Sequence, residues 1–94
     1  MNDATMTHES AAEIVRGAIE QIAPDVDART IPPGADMRIE AELDSMDFIA
    51  VLAAIKERTG VDVPEADMTT AATIDGCAAY VADHLSAGQR GHSG

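Results

Sequence analysis

A hydroxyl and three carboxylates lie close together in the segment Glu42-Leu43-Asp44-Ser45-Met46-Asp47, which makes it the candidate reactive site of this chain. Asp44 is a favourable helix N-cap residue, so Ser45 would be the first residue of the helix that follows. A hydroxyl at that position lies beside unpaired backbone N–H groups and the positive end of the helix dipole, which together favour a phosphodiester. The simpler alternative is that Ser45 only helps to begin a helix, which is the usual role of a serine there.

The helix that would present Ser45 runs over about 45–59, and Gly60 is its expected C-terminal stop. It has two apolar sides, although a surface helix needs only one. The second apolar side therefore indicates a surface that docks on another protein, unless a later segment folds over part of it and covers Ile49. The core side comprises Phe48, Val51, Leu52, Ile55 and Thr59, and the second side comprises Met46, Ile49, Ala50 and Ala53.

A first helix is predicted over 10–22. Its start is a capping box at Ser10-Ala11-Ala12-Glu13, and Pro24 follows its last turn. The connection over 24–43 contains Pro32-Pro33-Gly34, which blocks regular structure, and connections of this length are usually functional. Three apolar residues are expected to tie this connection to the core: Ile31, Ile39 and Leu43.

Two more helices are predicted in the second half of the chain. Pro64 can open a short helix through Met68, and an apolar face over 74–86 indicates the last long helix. The Gly-rich polar segment 88–94 is expected to be a disordered tail, and residues 1–9 a flexible amino terminus. The sequence therefore predicts an all-α four-helix bundle, with three main helices, one short helix and a long first loop.

Composition excludes several classes of function. Seventeen acidic and six basic residues give a formal net charge of -11, which repels nucleic acid and attracts basic protein surfaces. Residues 1–10 show no signal-peptide pattern, and the longest apolar run, 48–55, is too short to span a bilayer. Cys77 is the only cysteine and cannot form an internal disulfide. These features favour a cytoplasmic protein that does not insert into membranes.

Catalytic and metal-binding interpretations find little support in the sequence. No G-x-S-x-G pattern is present, and the three histidines His8, His84 and His92 lie far along the chain from Ser45. A calcium loop beginning at Asp36 would need an oxygen ligand where Arg38 stands and glycine where Ala41 stands. We therefore expect no catalytic residues and no metal site.

The site segment resembles that of acyl carrier proteins, which carry a D-S-L-type triplet after a long loop and at the start of the second helix of a four-helix bundle. Asp44-Ser45-Met46 is similar to that triplet. Gly60-Val61-Asp62-Val63-Pro64, Thr73-Ile74-Asp75-Gly76 and Tyr80-Val81 are similar to later parts of the family's pattern, so the resemblance covers about 10–86.

The sequence departs from the family pattern in three places. Met46 stands where leucine is usual, and Glu42 stands where glycine is usual. Lys56-Glu57-Arg58 ends a helix that is typically acidic there in fatty-acid carriers. The G-G-x-S pattern of peptidyl carriers is absent from Glu42-Leu43-Asp44-Ser45. These differences weaken an assignment to ordinary fatty-acid synthesis more than an assignment as a carrier.

The resemblance implies a carrier domain over 10–87 that is not an enzyme. Ser45 would bear 4′-phosphopantetheine, flanked by Asp44 and Met46, and the arm would hold acyl groups as thioesters in fatty-acid, polyketide or other acyl biosynthesis. The expected partners are a phosphopantetheinyl transferase and acyl-loading and acyl-processing enzymes with basic docking surfaces, and the chain is expected to be a monomer. An aminoacyl or peptidyl carrier and an unmodified acidic helical adaptor remain alternatives.

The docking surface is expected to combine apolar and acidic side chains near Ser45. Because the family buries short acyl chains within the bundle, a group of alanines between the second and last helices is expected to line a cavity. The docking residues are Glu40, Glu42, Met46, Asp47, Ile49 and Ala53, and the alanines are Ala50, Ala53, Ala54, Ala78 and Ala82.

Overall fold

The computed structural model describes the backbone of residues 7–92 and the side chains of residues 7–85. Over this part of the chain the protein is helical, with four α-helices: α1 (His8–Ile22), α2 (Met37–Glu40), α3 (Ser45–Thr59) and α4 (Ile74–His92). Three 3-10 turns lie between them, at Ala28–Thr30, Glu65–Asp67 and Thr70–Ala72. The predicted all-α four-helix architecture is confirmed.

Helix α1 is the centre of the packing, because it contacts both α3 and α4 along much of its length. Its inward face is fully buried at Ala11, Val15, Ala18 and Ile19. The opposing helices contribute fully buried residues at helical spacing, which is the pattern expected of a core built from amphipathic helices. These residues are Val51 and Ile55 of α3 and Ile74, Cys77, Ala78 and Val81 of α4.

Helix α1 begins earlier than the capping box at Ser10 indicates. Thr7 is the N-cap, and its side-chain oxygen accepts a hydrogen bond from the backbone N–H of Ser10 at 3.0 Å. Threonine is also a favourable capping residue, and Thr7 lies about one turn before Ser10. With Thr7 as the cap, His8 and Glu9 belong to the helix. Residues 8 and 9, predicted to belong to a flexible amino terminus, are helical in this structure, and residues 1–6 lie outside the described residues.

The long first loop is more ordered than its prolines suggest. The Arg16 guanidinium donates to the carbonyls of Ala28 and Ile31, and the Glu20 carboxylate accepts from the N–H of Ala28 at 3.1 Å. Farther along, the loop forms the four-residue helix α2, capped by the Asp36 side chain. These contacts provide partners for loop backbone groups, so the loop can pack closely against α1.

Only two of the three predicted apolar contacts of the loop form. Ile31 and Leu43 are buried, but Ile39 is 72% exposed. Met37 is fully buried instead, because α2 turns its first residue inward and its third residue outward. The expectation that Ile39 ties the loop to the core is therefore wrong.

The predicted short helix over 64–68 is a single 3-10 turn, Glu65–Asp67. The Tyr80 hydroxyl of α4 donates to the Asp67 carboxylate at 2.8 Å and ties this turn to the bundle. Helix α4 continues to His92, beyond the predicted end near residue 86, because no proline interrupts it. The backbone is helical over 88–92, where the sequence predicts a disordered tail, and residues 93–94 lie outside the described part of the chain.

Among the described residues, no helix is both long enough and apolar enough to cross a membrane.

Candidate functional site

Ser45 is the first residue of α3, and its side chain is exposed. Asp44 is the N-cap, as predicted, and its Oδ1 accepts a hydrogen bond from the N–H of Asp47 at 2.8 Å. The first backbone bond of the helix runs from the N–H of Phe48 to the carbonyl of Asp44 at 2.9 Å. The N–H groups of Ser45 and Met46 precede that bond, so they are available to water or to an anion on the serine.

Buried residues on both sides of Ser45 fix its position. Leu43 and Phe48 are 7% and 3% exposed, and both belong to the main apolar core. The N–H of Leu43 also donates to the carbonyl of Arg38 at 2.8 Å, which joins α2 to the start of α3. Because the chain is anchored before and after it, the Ser45 hydroxyl is held at the surface on a rigid helix end.

An open pocket of about 710 Å³ adjoins Ser45. Ser45, Phe48 and Ile49 contribute to it from one face of α3, since residues three and four apart are neighbours on a helix. Residues from the long loop and from the Glu65–Asp67 turn complete the walls. The full lining comprises Arg38, Leu43, Asp44, Ser45, Phe48, Ile49, Glu65 and Met68.

The pocket does not lie where the alanines of the sequence indicated. Ala54 and Ala78 are buried in the core, Ala53 is exposed, and none of the five alanines lines the pocket. Helix α1 packs against both α3 and α4, so the small residues of those helices permit close contacts with it. None of the five alanines belongs to the pocket beside Ser45, so the alanine-lined cavity between the second and last helices stays a prediction.

Arg38 is the basic residue of the pocket wall. Its Nε and Nη2 donate to the two carboxylate oxygens of Asp36 at 2.9 and 2.7 Å, and its guanidinium carbon lies 5.5 Å from the centroid of the Phe48 ring. The hydrogen bonds from Arg38 hold the pKa of Asp36 below its usual range, and the same contact raises the pKa of Arg38. The guanidinium is therefore charged and oriented beside the start of α3.

Acidic residues surround the site. Glu40, Glu42 and Asp44 are exposed and Asp47 is half-buried, so their carboxylates give the surface around Ser45 a negative potential. Glu42 is the only non-glycine residue with a positive φ among the described residues, at 54°. The family's usual glycine at this position matches that backbone conformation, and Glu42 adopts it with a side chain attached.

The second apolar side of α3 is largely uncovered. Met46 is 73% exposed, Ile49 is 48% exposed and Ala53 is exposed, while Ala50 is half-buried. The Glu65–Asp67 turn and Met68 approach Ile49 only across the pocket. The alternative in which this segment covers the apolar side of α3 therefore does not hold for Met46 and holds only in part for Ile49.

Other reactive side chains of the described residues have partners or are buried elsewhere. Burial raises the pKa of the Cys77 thiol to about 12, which makes it a poor nucleophile. His8 contacts Asp75 at 3.0 Å, and His84 stacks on Tyr80 with ring centroids 3.8 Å apart. Within residues 7–85 no cluster of three or more histidine, cysteine or acidic side chains is arranged to hold a metal ion.

The sequence did not identify three residues of the pocket wall. The sequence pattern marks Arg38 only as a residue that breaks a calcium loop, and it places Glu65 and Met68 in a short helix. These residues come from segments that are distant from Ser45 in sequence, and no spacing rule connects such segments. A weak signal was available in Met68, an apolar residue next to a turn that must face some part of the bundle.

The chain is similar to a known protein family over most of its length. The family model for the phosphopantetheine attachment site matches residues 6–81. An acyl carrier protein of Rubrobacter xylanophilus is 28% identical over 72 residues, which cover 73% of this chain and 89% of that protein. No solved structure matches the chain significantly. Since the family model covers well over half of the sequence, this chain belongs to the phosphopantetheine-binding carrier family, in which 4′-phosphopantetheine is covalently attached.

Proposed function

We propose that this chain is an acyl carrier protein and that Ser45 is the residue that bears the 4′-phosphopantetheine arm. The observation that carries this proposal is the exposed Ser45 hydroxyl at the capped start of α3, inside the triplet Asp44-Ser45-Met46. The similarity to an acyl carrier protein of Rubrobacter xylanophilus supports an acyl cargo.

The residues around Ser45 fit the prosthetic group. The unpaired N–H groups at the start of α3 suit the negative phosphodiester, and the adjoining pocket offers apolar walls from Phe48, Ile49 and Met68. When attached, the arm supplies a terminal thiol that holds an acyl group as a thioester, which is reactive enough for transfer. The protein's own contribution is to fix the attachment point and to shelter part of the arm or its cargo.

This function requires transport between enzymes, and we propose that the chain itself catalyses nothing. The partners would be a phosphopantetheinyl transferase followed by acyl-loading and acyl-processing enzymes, each meeting the surface next to Ser45. That surface combines apolar contacts at Met46, Ile49 and Ala53 with carboxylates at Glu40, Glu42 and Asp47, so it favours partners with basic rims around an apolar centre. A monomer in the cytoplasm suits these successive encounters.

The sequence of the site bears on the type of cargo. The absence of G-G-x-S before Ser45 argues against a peptidyl carrier, and the basic residues Lys56 and Arg58 at the end of α3 differ from ordinary fatty-acid carriers. We therefore propose fatty-acid, polyketide or another specialised acyl biosynthesis as the pathway class. The competing function is an unmodified acidic adaptor that uses the same surface for a single partner.

Intact-protein mass spectrometry tests the attachment. Incubation with coenzyme A and a phosphopantetheinyl transferase should add one phosphopantetheinyl mass to the wild-type chain and nothing to Ser45→Ala. Ser10→Ala is the matched control, because Ser10 is an exposed helical serine far along the chain from the site, and it should be modified fully. An unmodified wild-type chain would favour the adaptor, and modification of Ser45→Ala would mean that another residue bears the arm.

The ionic-strength dependence of loading tests the charge of the docking surface. Exposed charges are screened beyond about 8 Å at physiological salt, so loading by a transferase with a basic surface should slow as salt increases. Loading rates that stay constant from low to high salt would contradict electrostatic docking and leave the apolar contacts as the main attraction.

A further inference from the structure

Arg38 is held in place by contacts that use only part of its hydrogen-bonding capacity. A guanidinium has five N–H donors, and Asp36 occupies one on Nε and one on Nη2. Among the described residues, no acceptor is bound to Nη1 of Arg38. The Arg38 side chain is 42% exposed and lines the pocket, so other residues do not enclose its guanidinium.

Arg38 is connected to the surroundings of Ser45 through Phe48 and Leu43. Its guanidinium stacks over Phe48, which is three residues after Ser45 and therefore one helical turn from it, with Cβ atoms about 5–6 Å apart on such a helix. Arg38 and Ser45 line the same pocket, and the hydrogen bond from Leu43 to the Arg38 carbonyl fixes the two segments together. A group attached to the Ser45 oxygen would thus lie within the range of the long Arg38 side chain.

The charges of the pocket wall favour a contact between Arg38 and a phosphodiester on Ser45. The other ionisable residues of the pocket wall are Asp44 and Glu65, and both are acidic. A phosphodiester on Ser45 adds another negative charge to this wall, and Arg38 is the basic residue within it that can compensate. An arginine beside a phosphate forms charge-assisted hydrogen bonds that also fix the orientation of the phosphate.

We propose that Arg38 is a positioning residue that donates hydrogen bonds from Nη1 to the phosphodiester of the arm on Ser45. Asp36 orients the guanidinium, and Phe48 supports its face, so the contact directs the arm toward the pocket between α3 and the Glu65–Asp67 turn. This inference rests on the proposed attachment at Ser45. The competing explanation is that Arg38 only stabilises α2 through its pair with Asp36.

Two measurements on purified apo and holo protein separate these explanations. The ³¹P resonance of the holo protein reports on the phosphodiester directly, and the holo-minus-apo difference in melting temperature removes any effect that a substitution has on α2 alone. The variants are Arg38→Gln and Arg38→Lys, and the matched control is Arg29→Gln, which removes the same charge from an exposed position outside the pocket. Intact mass confirms loading at Ser45 in each sample.

We expect Arg38→Gln to move the ³¹P resonance and to lower the holo-minus-apo difference by about 2–5 °C, the size of a partly exposed ionic contact in a domain of this length. Arg38→Lys should restore part of both effects, and Arg29→Gln should change neither. The effects of Arg38→Gln on the ³¹P resonance and on the holo-minus-apo difference in melting temperature should both become smaller at high salt.

The inference is overturned if holo Arg38→Gln keeps the wild-type ³¹P resonance while its apo and holo forms lose equal stability, since Arg38 then acts on α2 alone. A failure of the proposed function gives a different result, because a wild-type chain that gains no mass, or gains it away from Ser45, refutes the attachment itself.

Discussion

Glu42 provides a sharp test of how the site loop is built. It lies three residues before Ser45 with φ at 54°, in the left-handed region that side-chain-bearing residues rarely adopt. The Glu42 carboxylate is exposed, and among the described residues no hydrogen bond to it is formed. Replacement by glycine should therefore remove strain at little cost in contacts, and we expect Glu42→Gly to stabilise the fold.

The magnitude follows from two opposing effects on the free energy of unfolding. The left-handed conformation lowers the free energy of unfolding by roughly 1–2 kcal/mol for a residue with a Cβ, and glycine adopts it without this cost. Glycine also widens the unfolded ensemble, which costs roughly 0.5–1 kcal/mol. The net expectation is a gain of about 0.5–1 kcal/mol, or a rise in melting temperature of about 3–6 °C for a domain of this size.

Glu40→Gly is the matched control, because Glu40 is an exposed glutamate at the end of α2, two residues before Glu42. Both substitutions remove one carboxylate from the same acidic surface, so any relief of charge repulsion is common to them. Glu40 has no positive φ, and its replacement should cost about 0.5–1 kcal/mol. Thermal and urea unfolding of the two variants should thus give changes of opposite sign. Equal destabilisation by both would refute the assignment of strain to Glu42.

Three further expectations concern packing, reactivity and docking. A Cβ at Gly76 would collide with the backbone carbonyl of Thr70, so Gly76→Ala should lower the free energy of unfolding by about 1–3 kcal/mol or more. Gly34 has open space around it, so Gly34→Ala should leave urea unfolding nearly unchanged. Burial raises the pKa of Cys77 to about 12, so the native apo protein should resist a thiol-alkylating reagent at pH 8. Only the unfolded protein should be alkylated, at one site. Rapid alkylation of the native protein would contradict this expectation. Met46→Glu should impair transferase loading or downstream transfer. Because Met46 is 73% exposed, the free energy of unfolding should change by less than about 0.5 kcal/mol. An unfolded variant would assign Met46 to the core and refute docking there.

The helix that carries Ser45 could be predicted from the amino-acid sequence. Its start at Ser45, its cap at Asp44 and its end at Gly60 agree with the structure, where Gly60 has φ at 78°. These features depend on interactions within a few residues, namely a side-chain cap, a left-handed glycine and a repeat of apolar residues. The same local reasoning identified the exposed apolar side that includes Met46.

Local reasoning was less reliable where two adjacent signals compete. Thr7 and Ser10 are both good caps, and the chain uses Thr7, which gives a longer α1. In the loop, Met37 and Ile39 are both apolar, but the single turn of α2 can bury only one of them against the bundle, and it buries Met37. The outcome in each case depends on packing against α1, α3 and α4, which the residue pattern of the segment does not contain.

The surroundings of Ser45 could not be predicted from the sequence, because they depend on how distant segments pack together. The pocket is formed where the long loop, the start of α3 and the Glu65–Asp67 turn meet, and Arg38, Phe48 and Met68 reach it from these three segments. The order of residues along the chain fixes each segment's own conformation through short-range hydrogen bonds and steric limits. The distance between segments is fixed by burial of their apolar residues in a shared core, and that depends on the whole fold.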